Sequence, residues 1–382
     1  MQNKTTLRNL LISLLYSSFA IVSSVATAQH DKEENSSSNS PLITKNITID
    51  NASSDHPIDH VAVILPTYNP SIKIVSNAIY QGVVSTKTLE KNIWLPISFY
   101  ELRESNTDEL IKTYRDALSA GAKTVIGPLT HKAVNALSQS QLKFVPTICL
   151  NISRTWPTTN QNLYAFGLQI QNEAKELAQL AYSEGGQQVM TIFEHSPLNN
   201  RVMQAFNEEW LDLSGEIAEQ VYIEDNKINF EKIVQLLDNT QADTIFIAVS
   251  PKTAQNLRPY LGTRLPIYTT SLVHISNTDK LRMHDLEDIR FLEMPWIINH
   301  TSKIGQNWGD DSLRLLRFYA LGKDAYTLAK EVSQGHPENL WIYKGASGEL
   351  THSNQIFFRK GQPVKFTRGG IKRLRINTLN KD

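Results

Sequence analysis

Short runs of apolar residues alternate with longer amphipathic stretches through the first part of the chain. Continuous apolar runs suit the strands of a parallel sheet that is covered on both faces. The stretches between them repeat apolar residues at helical spacing. The pattern therefore predicts a β-α-β-α-β-α-β lobe with right-handed crossovers. Its strands are predicted at 61–65, 93–100, 124–126 and 144–150, and a further strand at 163–168 leaves the lobe.

A second series with a similar rhythm follows the first. Its helices are indicated by apolar stripes such as that of Ala174, Leu177, Ala178 and Ala181. No fixed sequence period relates the two series, so the pattern indicates two similar α/β halves and not a tandem repeat. The strands of the second half are predicted at 189–193, 220–223, 243–249 and 266–270.

The last third of the chain predicts a strand at 290–296, a long helix at 311–333 and a hairpin-like tail at 341–366. Gly345 and Gly348 mark turns in the tail. We expect the chain to cross back between the halves, so that the long helix completes the first lobe and the tail completes the second. The expected division is 58–168 with 297–336 for the first lobe, and 169–296 with 337–376 for the second.

The most informative single unit lies at 119–136. Gly121 follows a helical face, where a glycine can take the left-handed conformation that ends a helix. A short strand at 124–126 leads to a Gly-Pro turn at 127–128, and the backbone amides of 130–132 open the next helix. A helix amino terminus favours an anion or a polar group. Because ligands of open α/β sheets bind beyond the carboxyl ends of the strands, this unit predicts part of a binding crevice.

The amino terminus has the pattern of a secretory signal. Basic residues precede an apolar run at 10–22, and small residues at 26–28 mark a cleavage point. We expect a cleaved signal peptide at 1–28, a disordered polar linker at 29–57 and a periplasmic mature protein. An uncleaved membrane anchor is the alternative, although the run is shorter than the ~20 residues that a spanning helix needs. No cysteine lies near the cleavage point, so we do not expect a lipid anchor there.

Charge and motif content argue against several function classes. Lys+Arg and Asp+Glu both number 38, so no net charge attracts nucleic acid or an anionic membrane. Cys149 is the only cysteine, and the histidines show no metal-ligand spacing. The S-x-x-K sequence at 140–143 lacks the companion motifs of penicillin-binding enzymes, and other catalytic motifs are absent. We therefore expect no catalysis, no cofactor and no bound metal.

Nine segments, in order along the chain, resemble one protein family. They are VAVILP at 61–66, GAKTVIGPLTHKAVNAL at 121–137, VPTICLN at 145–151, NLYAFGLQIQNEAKELA at 162–178, ADTIFIAVSPKTAQNLRPYL at 242–261, LPIYTTSLVH at 265–274, IRFLEMPW at 289–296, RFYALGKDAYTLA at 317–329 and GASGEL at 345–350. The chain thereby resembles the carboxy-terminal domain of the penicillin-binding protein activator family, the LppC/LpoA-type lipoproteins of Gram-negative bacteria.

The resemblance implies a fold and a function. The fold would be the type I periplasmic-binding-protein fold, in which two α/β lobes joined by three strands close over a cleft. Each lobe would hold a mostly parallel sheet flanked by helices. The function would be non-catalytic: stimulation of a class A penicillin-binding protein, the partner that synthesises peptidoglycan.

A ligand, if one binds, is expected where strand ends face the cleft between the lobes. The candidate ligand-binding residues are Tyr68, Thr130, His131, Asn151 and Ser153 from the first lobe, and His195, Asn199 and Ser271 from the second. For any single one of them, the interpretation as an ordinary loop or helix-capping residue is favoured over ligand binding. If these residues do bind a ligand, the alternative function is that of a soluble periplasmic receptor for a small polar solute, such as an amino acid or peptide. An open polar cleft would favour the receptor, and a filled cleft or a fixed lobe contact would favour the regulator.

Overall fold

The structure, a computed structural model, describes residues 57–374 apart from short segments within that range. The residues left undescribed there are 90–93, 143, 154–155, 157–159, 225–227, 276–282, 300–307, 309–311 and 336–341. The predicted signal peptide and nearly all of the predicted linker lie outside the described residues. Among the helices that are described, none is both long and apolar enough to span a membrane.

Strands and helices alternate along most of the chain and give way to strands alone near its end. The strands are β1 (His60–Pro66), β2 (Ile97–Leu102), β3 (Ala122–Ile126), β4 (Thr147–Cys149), β5 (Leu163–Phe166), β6 (Gln188–Glu194), β7 (Glu216–Ile223), β8 (Thr244–Ala248), β9 (Ile267–Thr269), β10 (Arg290–Glu293), β11 (Ile342–Lys344), β12 (Glu349–Ser353), β13 (Ile356–Lys360), β14 (Gln362–Thr367) and β15 (Gly370–Arg373). The helices are α1 (Pro70–Leu89), α2 (Thr107–Ser119), α3 (His131–Ser138), α4 (Ile170–Ser183), α5 (Pro197–Asp212), α6 (Phe230–Asn239), α7 (Pro251–Leu261), α8 (Pro295–Asn299) and α9 (Ser312–Gln334), with a 3-10 turn at Ser271–Val273.

The strands form two sheets, one in each lobe. The first has the order β11-β12-β13-β5-β4-β3-β1-β2, and the second has the order β15-β14-β10-β9-β8-β6-β7. Pairing is parallel from β2 to β13 in the first sheet and from β7 to β10 in the second. Antiparallel strands extend one edge of each sheet. The predicted architecture of two mostly parallel α/β lobes is confirmed.

Strand β1 shows why the apolar runs are continuous. Val61, Val63 and Leu65 pack into a core that includes α1 and α9. Ala62 and Ile64 point the other way, into the core formed with α2 and α3. All five side chains are 0% exposed. Because both faces of the strand are covered, no position is left for a polar side chain.

Helices α1 and α9 approach each other closely through a pair of glycines. A β-carbon on Gly82 would lie 2.1 Å from the carbonyl oxygen of Tyr319, and one on Gly322 would lie 2.0 Å from that of Ile79. No larger residue fits at either position without separating the helices. This contact fixes α9 in the first lobe.

Within the residues that the structure describes, the chain crosses between the lobes three times. The first crossing, 167–169, follows β5. The second crossing follows β10. The strand predicted at 290–296 ends at Glu293, and the short helix α8 begins at Pro295. The third is the single residue Gly361 between β13 and β14.

The third crossing corrects the predicted division of the tail. All of 337–376 was predicted to lie in the second lobe, whereas β11, β12 and β13 lie in the first sheet. There, Ile356 pairs with Ala165 of β5, and Leu350 and Phe357 pack into the first-lobe core. A hairpin that buries one face can join either sheet, so its alternating pattern does not show which lobe it joins.

Candidate functional site

The first lobe has a cavity at the point where its strand order reverses. Strand β1 lies between β2 and β3, and the carboxyl ends of the three strands meet at one edge of the sheet. Ligands of doubly wound α/β proteins bind at this topological position. The cavity opens to solvent. It is lined by Pro66, Tyr68, Leu102, Glu104, Ser105, Asn106, Thr107, Leu110, Pro128, Leu129, Thr130, Lys132 and Ala133, all of them first-lobe residues.

Two backbone amides of one loop at the cavity are hydrogen-bonded to the carboxylate of a nearby side chain, Glu109. Arg103 N and Glu104 N donate to the Glu109 carboxylate over 2.8 and 2.6 Å. Glu109 N in turn donates to Asn106 Oδ1, which caps α2. An anionic ligand would have to compete with Glu109 for the donors of this loop.

The second helix terminus at the cavity is also engaged. Thr130 caps α3, and its Oγ1 accepts a hydrogen bond from Ala133 N over 3.2 Å. Lys132 Nζ donates to Ser105 O over 2.9 Å and so joins α3 to the loop that precedes α2. Thr130 therefore has the helix-capping role that is the alternative to ligand binding.

The other predicted residues of the first lobe hold loops in place. Asn151 Nδ2 donates to Leu129 O over 3.2 Å, and Ser153 Oγ donates to Asn135 Oδ1 over 2.7 Å. Ser153 is 3% exposed. His131 is half-buried in the first turn of α3. Of the predicted first-lobe residues, the cavity lining brings together Tyr68 and Thr130.

The predicted residues of the second lobe do not line this cavity. His195 is exposed at the end of β6, and Asn199 Nδ2 donates to Glu194 O over 3.1 Å. Ser271 is buried, and its Oγ donates to Glu173 Oε2 over 2.9 Å. Of the eight predicted residues, Tyr68 and Thr130 therefore line this cavity, and the other six do not.

Ser271 belongs instead to a buried group of charges between the lobes. Arg317 of α9 reaches from the first lobe, and its Nη2 donates to Glu293 Oε2 over 2.6 Å. The same nitrogen lies 3.1 Å from Ser271 O and 3.1 Å from His274 O. His274 Nδ1 donates to Glu293 Oε2 over 2.7 Å. One guanidinium thus contacts two separate segments of the second lobe, the turn at 271–274 and the end of β10.

A second ion pair spans the lobes nearby. Arg359 Nη2 of β13 lies 3.7 Å from Glu173 Oε2 of α4. The side chains of Arg359 and Glu173 are 12% and 3% exposed, and those of Arg317 and Glu293 are 13% and 0% exposed. Both cations come from the first lobe and both carboxylates come from the second.

The two carboxylates respond differently to this environment. Burial alone raises the pKa of Glu293, but the Arg317 guanidinium and the His274 hydrogen bond outweigh it and hold the pKa at about 2. Burial raises the pKa of Glu173, against the lowering effects of Arg359 and Ser271. The Arg317–Glu293 pair is therefore the more strongly ionised of the two.

Within the described part of the chain, no three His, Cys, Asp or Glu side chains gather as a metal site. The thiol of Cys149 is fully buried, and burial raises its pKa to about 12. A thiol in this state is a poor nucleophile.

The family described as "LppC putative lipoprotein" matches residues 40–356. The chain belongs to this LppC family. Among its curated relatives, the penicillin-binding protein activator LpoA of Photobacterium profundum is 23% identical over 355 residues, which cover 82% of this chain and 57% of the relative. LpoA of Haemophilus influenzae is 23% identical over 305 residues, covering 77% and 51%. This LppC chain spans about half the length of these relatives.

Solved structures confirm the type I periplasmic-binding-protein-like fold for this LppC member. The LpoA C-domain of Haemophilus influenzae, described as a regulator of PBP1A, superposes with a TM-score of 0.68 at 21% identity, covering 82% of this chain and 100% of that one. A solute-binding protein of an ABC transporter from R. palustris, in complex with benzoate, superposes with a TM-score of 0.51 at 14% identity, covering 84% and 96%.

One sequence signal pointed to the interlobe charges in this LppC chain. Leu313, Arg317 and Leu321 follow each other at a spacing of four, and both leucines are buried. An arginine on the apolar stripe of a helix indicates a buried partner. Nothing in the pattern identified that partner as Glu293, 24 positions away and in the other lobe.

Proposed function

We propose that this chain is a non-catalytic periplasmic regulator that binds and stimulates a class A penicillin-binding protein. Family membership supports the proposal, since its LppC relatives are named as activators and the C-domain of one is described as a regulator of PBP1A. The names of activators and regulators also favour a role without catalysis.

The observation that carries the proposal is the state of the cavity at the strand-order reversal. A solute receptor needs free donors and acceptors from both lobes around its ligand. Here the cavity is lined by first-lobe residues alone, and Glu109, Thr130 and Lys132 satisfy polar groups at its rim. Polar groups on the first-lobe side of the position that binds ligands in receptors of this fold are therefore already bonded within the chain.

The test is a glycan-polymerisation assay with a class A penicillin-binding protein from the same organism, with and without the purified chain. We expect a higher polymerisation rate and direct binding at micromolar concentrations. Absence of both binding and stimulation would contradict the proposal.

A receptor for a small polar solute is the second candidate, because Tyr68 and Thr130 do line one cavity at the ligand-binding position of the fold. A thermal-shift screen with amino acids, sugars and short peptides tests it. A concentration-dependent rise in melting temperature with one of these solutes, without binding to the synthase, would favour the receptor.

A further inference from the structure

We propose that Arg317–Glu293 and Arg359–Glu173 form an interlobe clamp that holds the two lobes at one fixed angle. The proposal concerns the mechanics of the fold, and it stands whether or not the chain stimulates a synthase. Receptors of two-lobed architecture bind by hinge closure, which requires the lobes to rotate about their connecting segments. The clamp lies where that rotation would occur.

Each of the three crossings has a clamp residue beside it. The first crossing, 167–169, leads directly into α4, which carries Glu173. Glu293 is the last residue of β10, immediately before the second crossing. Arg359 precedes the third crossing, Gly361, by two positions. Rotation about any of these segments therefore changes the orientation of one member of a buried ion pair relative to its partner.

The third crossing has an additional tether. Gly361 N donates to Glu176 Oε2 of α4 over 3.0 Å. A β-carbon on Gly361 would lie 3.0 Å from the β-carbon of Leu292. The one residue that joins β13 to β14 is thus hydrogen-bonded to a second-lobe helix and packed against a second-lobe strand.

The geometry of Arg317 explains why separation is unfavourable. Its Nε lies 3.3 Å from Glu293 Oε1, and its Nη2 contacts Glu293 Oε2, so the pair is bidentate. Bidentate guanidinium–carboxylate pairs fix orientation as well as distance. A change of angle would leave a fully buried carboxylate, together with the Ser271 and His274 carbonyls, without the guanidinium.

An apolar cluster adds to the clamp. Its buried members come from the second crossing and from α9, and residues of the first crossing and of the turn after β11 pack against them. They are Met294, Ile297, Leu313, Leu316 and Ala320, with Leu168, Trp296, Trp308 and Ala346 around them. Trp296 N donates to Ala346 O over 3.0 Å. The first and second crossings are therefore packed together through this apolar cluster, in addition to the charged pairs beside them.

The test measures the distance between the lobes directly. Spin labels at Lys112→Cys in α2 and Glu208→Cys in α5 report one exposed helix position in each lobe. Because Cys149 is 0% exposed, we expect it not to react with the label. Double electron–electron resonance spectroscopy on the labelled chain should give one narrow distribution of distances between the two labels. A broad or two-peaked distribution would overturn the proposal.

Variants then show whether the clamp causes the fixed angle. In the labelled chain, Arg317→Gln and Glu293→Gln should each broaden the distribution or add a second maximum. The matched control is Lys365→Gln, which breaks an ion pair with Asp288 (2.6 Å) inside the second lobe and should leave the distribution unchanged. Unchanged narrow distributions in both clamp variants would overturn the proposal.

A double variant distinguishes an effect on the angle between the lobes from an effect on the overall stability of the fold. Arg317→Gln with Glu293→Gln leaves no buried unpaired charge, so its melting temperature should recover relative to the single variants. Its distance distribution should stay broad, because the bidentate contact is still missing. Recovery of a narrow distribution together with stability would show that the charges only stabilise the fold. The measurements use no synthase and no solute, so they succeed or fail independently of the proposed function.

Discussion

Two polar regions of this molecule lie at positions where the fold commonly binds ligands or moves, and they are built differently. At the first-lobe cavity, Glu109 and Lys132 satisfy partners that are 5 to 27 positions away along the chain. Between the lobes, Arg317 and Glu293 pair while almost completely buried, and each comes from a different lobe. Breaking the hydrogen bonds at the cavity should therefore cost little free energy. Breaking the buried ion pair between the lobes should cost much more. A two-lobed receptor fold with these properties is suited to presenting a fixed surface.

The largest expected effect comes from removing the cation of the interlobe pair. Arg317→Met should lower the free energy of unfolding by about 3–5 kcal/mol, because it leaves Glu293 buried and ionised without its partner. Urea unfolding measures the loss. Adding Glu293→Leu should restore part of it, since no buried charge then remains. A loss below 1 kcal/mol for Arg317→Met would show that the region behaves like a surface ion pair.

Acid should weaken the same contact. The folded-state pKa of Glu293 is depressed from 4.5 to about 2, so its stabilising effect is complete above pH 4.5 and is lost as the pH falls toward 2. The loss should be on the order of 3 kcal/mol. Urea midpoints between pH 5 and pH 2.5 measure it, and the decline should be shallower in Glu293→Gln than in the parent. Equal slopes in the two proteins would contradict the assignment.

Glu176 should show the opposite pH dependence. Burial raises its pKa from 4.5 to about 7, despite the lowering effects of Arg359 and of the Gly361 amide. A raised carboxyl pKa means that stability falls as the pH rises from 4.5 through 7. Glu176→Gln should therefore be more stable than the parent at pH 8, by on the order of 1–3 kcal/mol, and similar to it at pH 4.5. A destabilised variant at pH 8 would show that the ionised carboxylate is needed to hold Gly361.

The smallest effect is expected at the cavity. Glu109→Ala removes the acceptor for Arg103 N and Glu104 N, and should cost about 1 kcal/mol because water can replace it. Urea unfolding and faster amide exchange at these two residues measure the change. Asp108→Ala, an exposed neighbour in the same helical turn, is the matched control and should leave the exchange of both amides unchanged. If Glu109→Ala lowered the free energy of unfolding as much as Arg317→Met does, the proposed difference between the two regions would be wrong.

Local chemistry made much of the fold predictable from the sequence. The run at 61–65 is covered on both sides of its sheet, Gly121 has a positive φ of 99° after α2, and Thr130 caps α3. The local sequence pattern was enough to predict each of these features. The placement of β11 to β13 was missed because a one-sided hairpin fits either sheet.

The candidate site was less predictable than the fold. Tyr68 and Thr130 meet at one cavity because they follow adjacent strands of one sheet. Ser271 was selected as a cleft residue, but its side chain bonds to Glu173, 98 positions away, which no local pattern indicates. Whether any of the eight residues binds a ligand stays a prediction.

The measurement that tests the central claim most directly is the interlobe distance in the presence of binding partners. The chain labelled at Lys112→Cys and Glu208→Cys would be measured alone, with a class A penicillin-binding protein, and with saturating amino acids, sugars and short peptides. We predict the same single narrow distribution in all three samples. A second, shorter distance that appears with a solute would show that the lobes close around a ligand and would contradict the account of a clamped regulator.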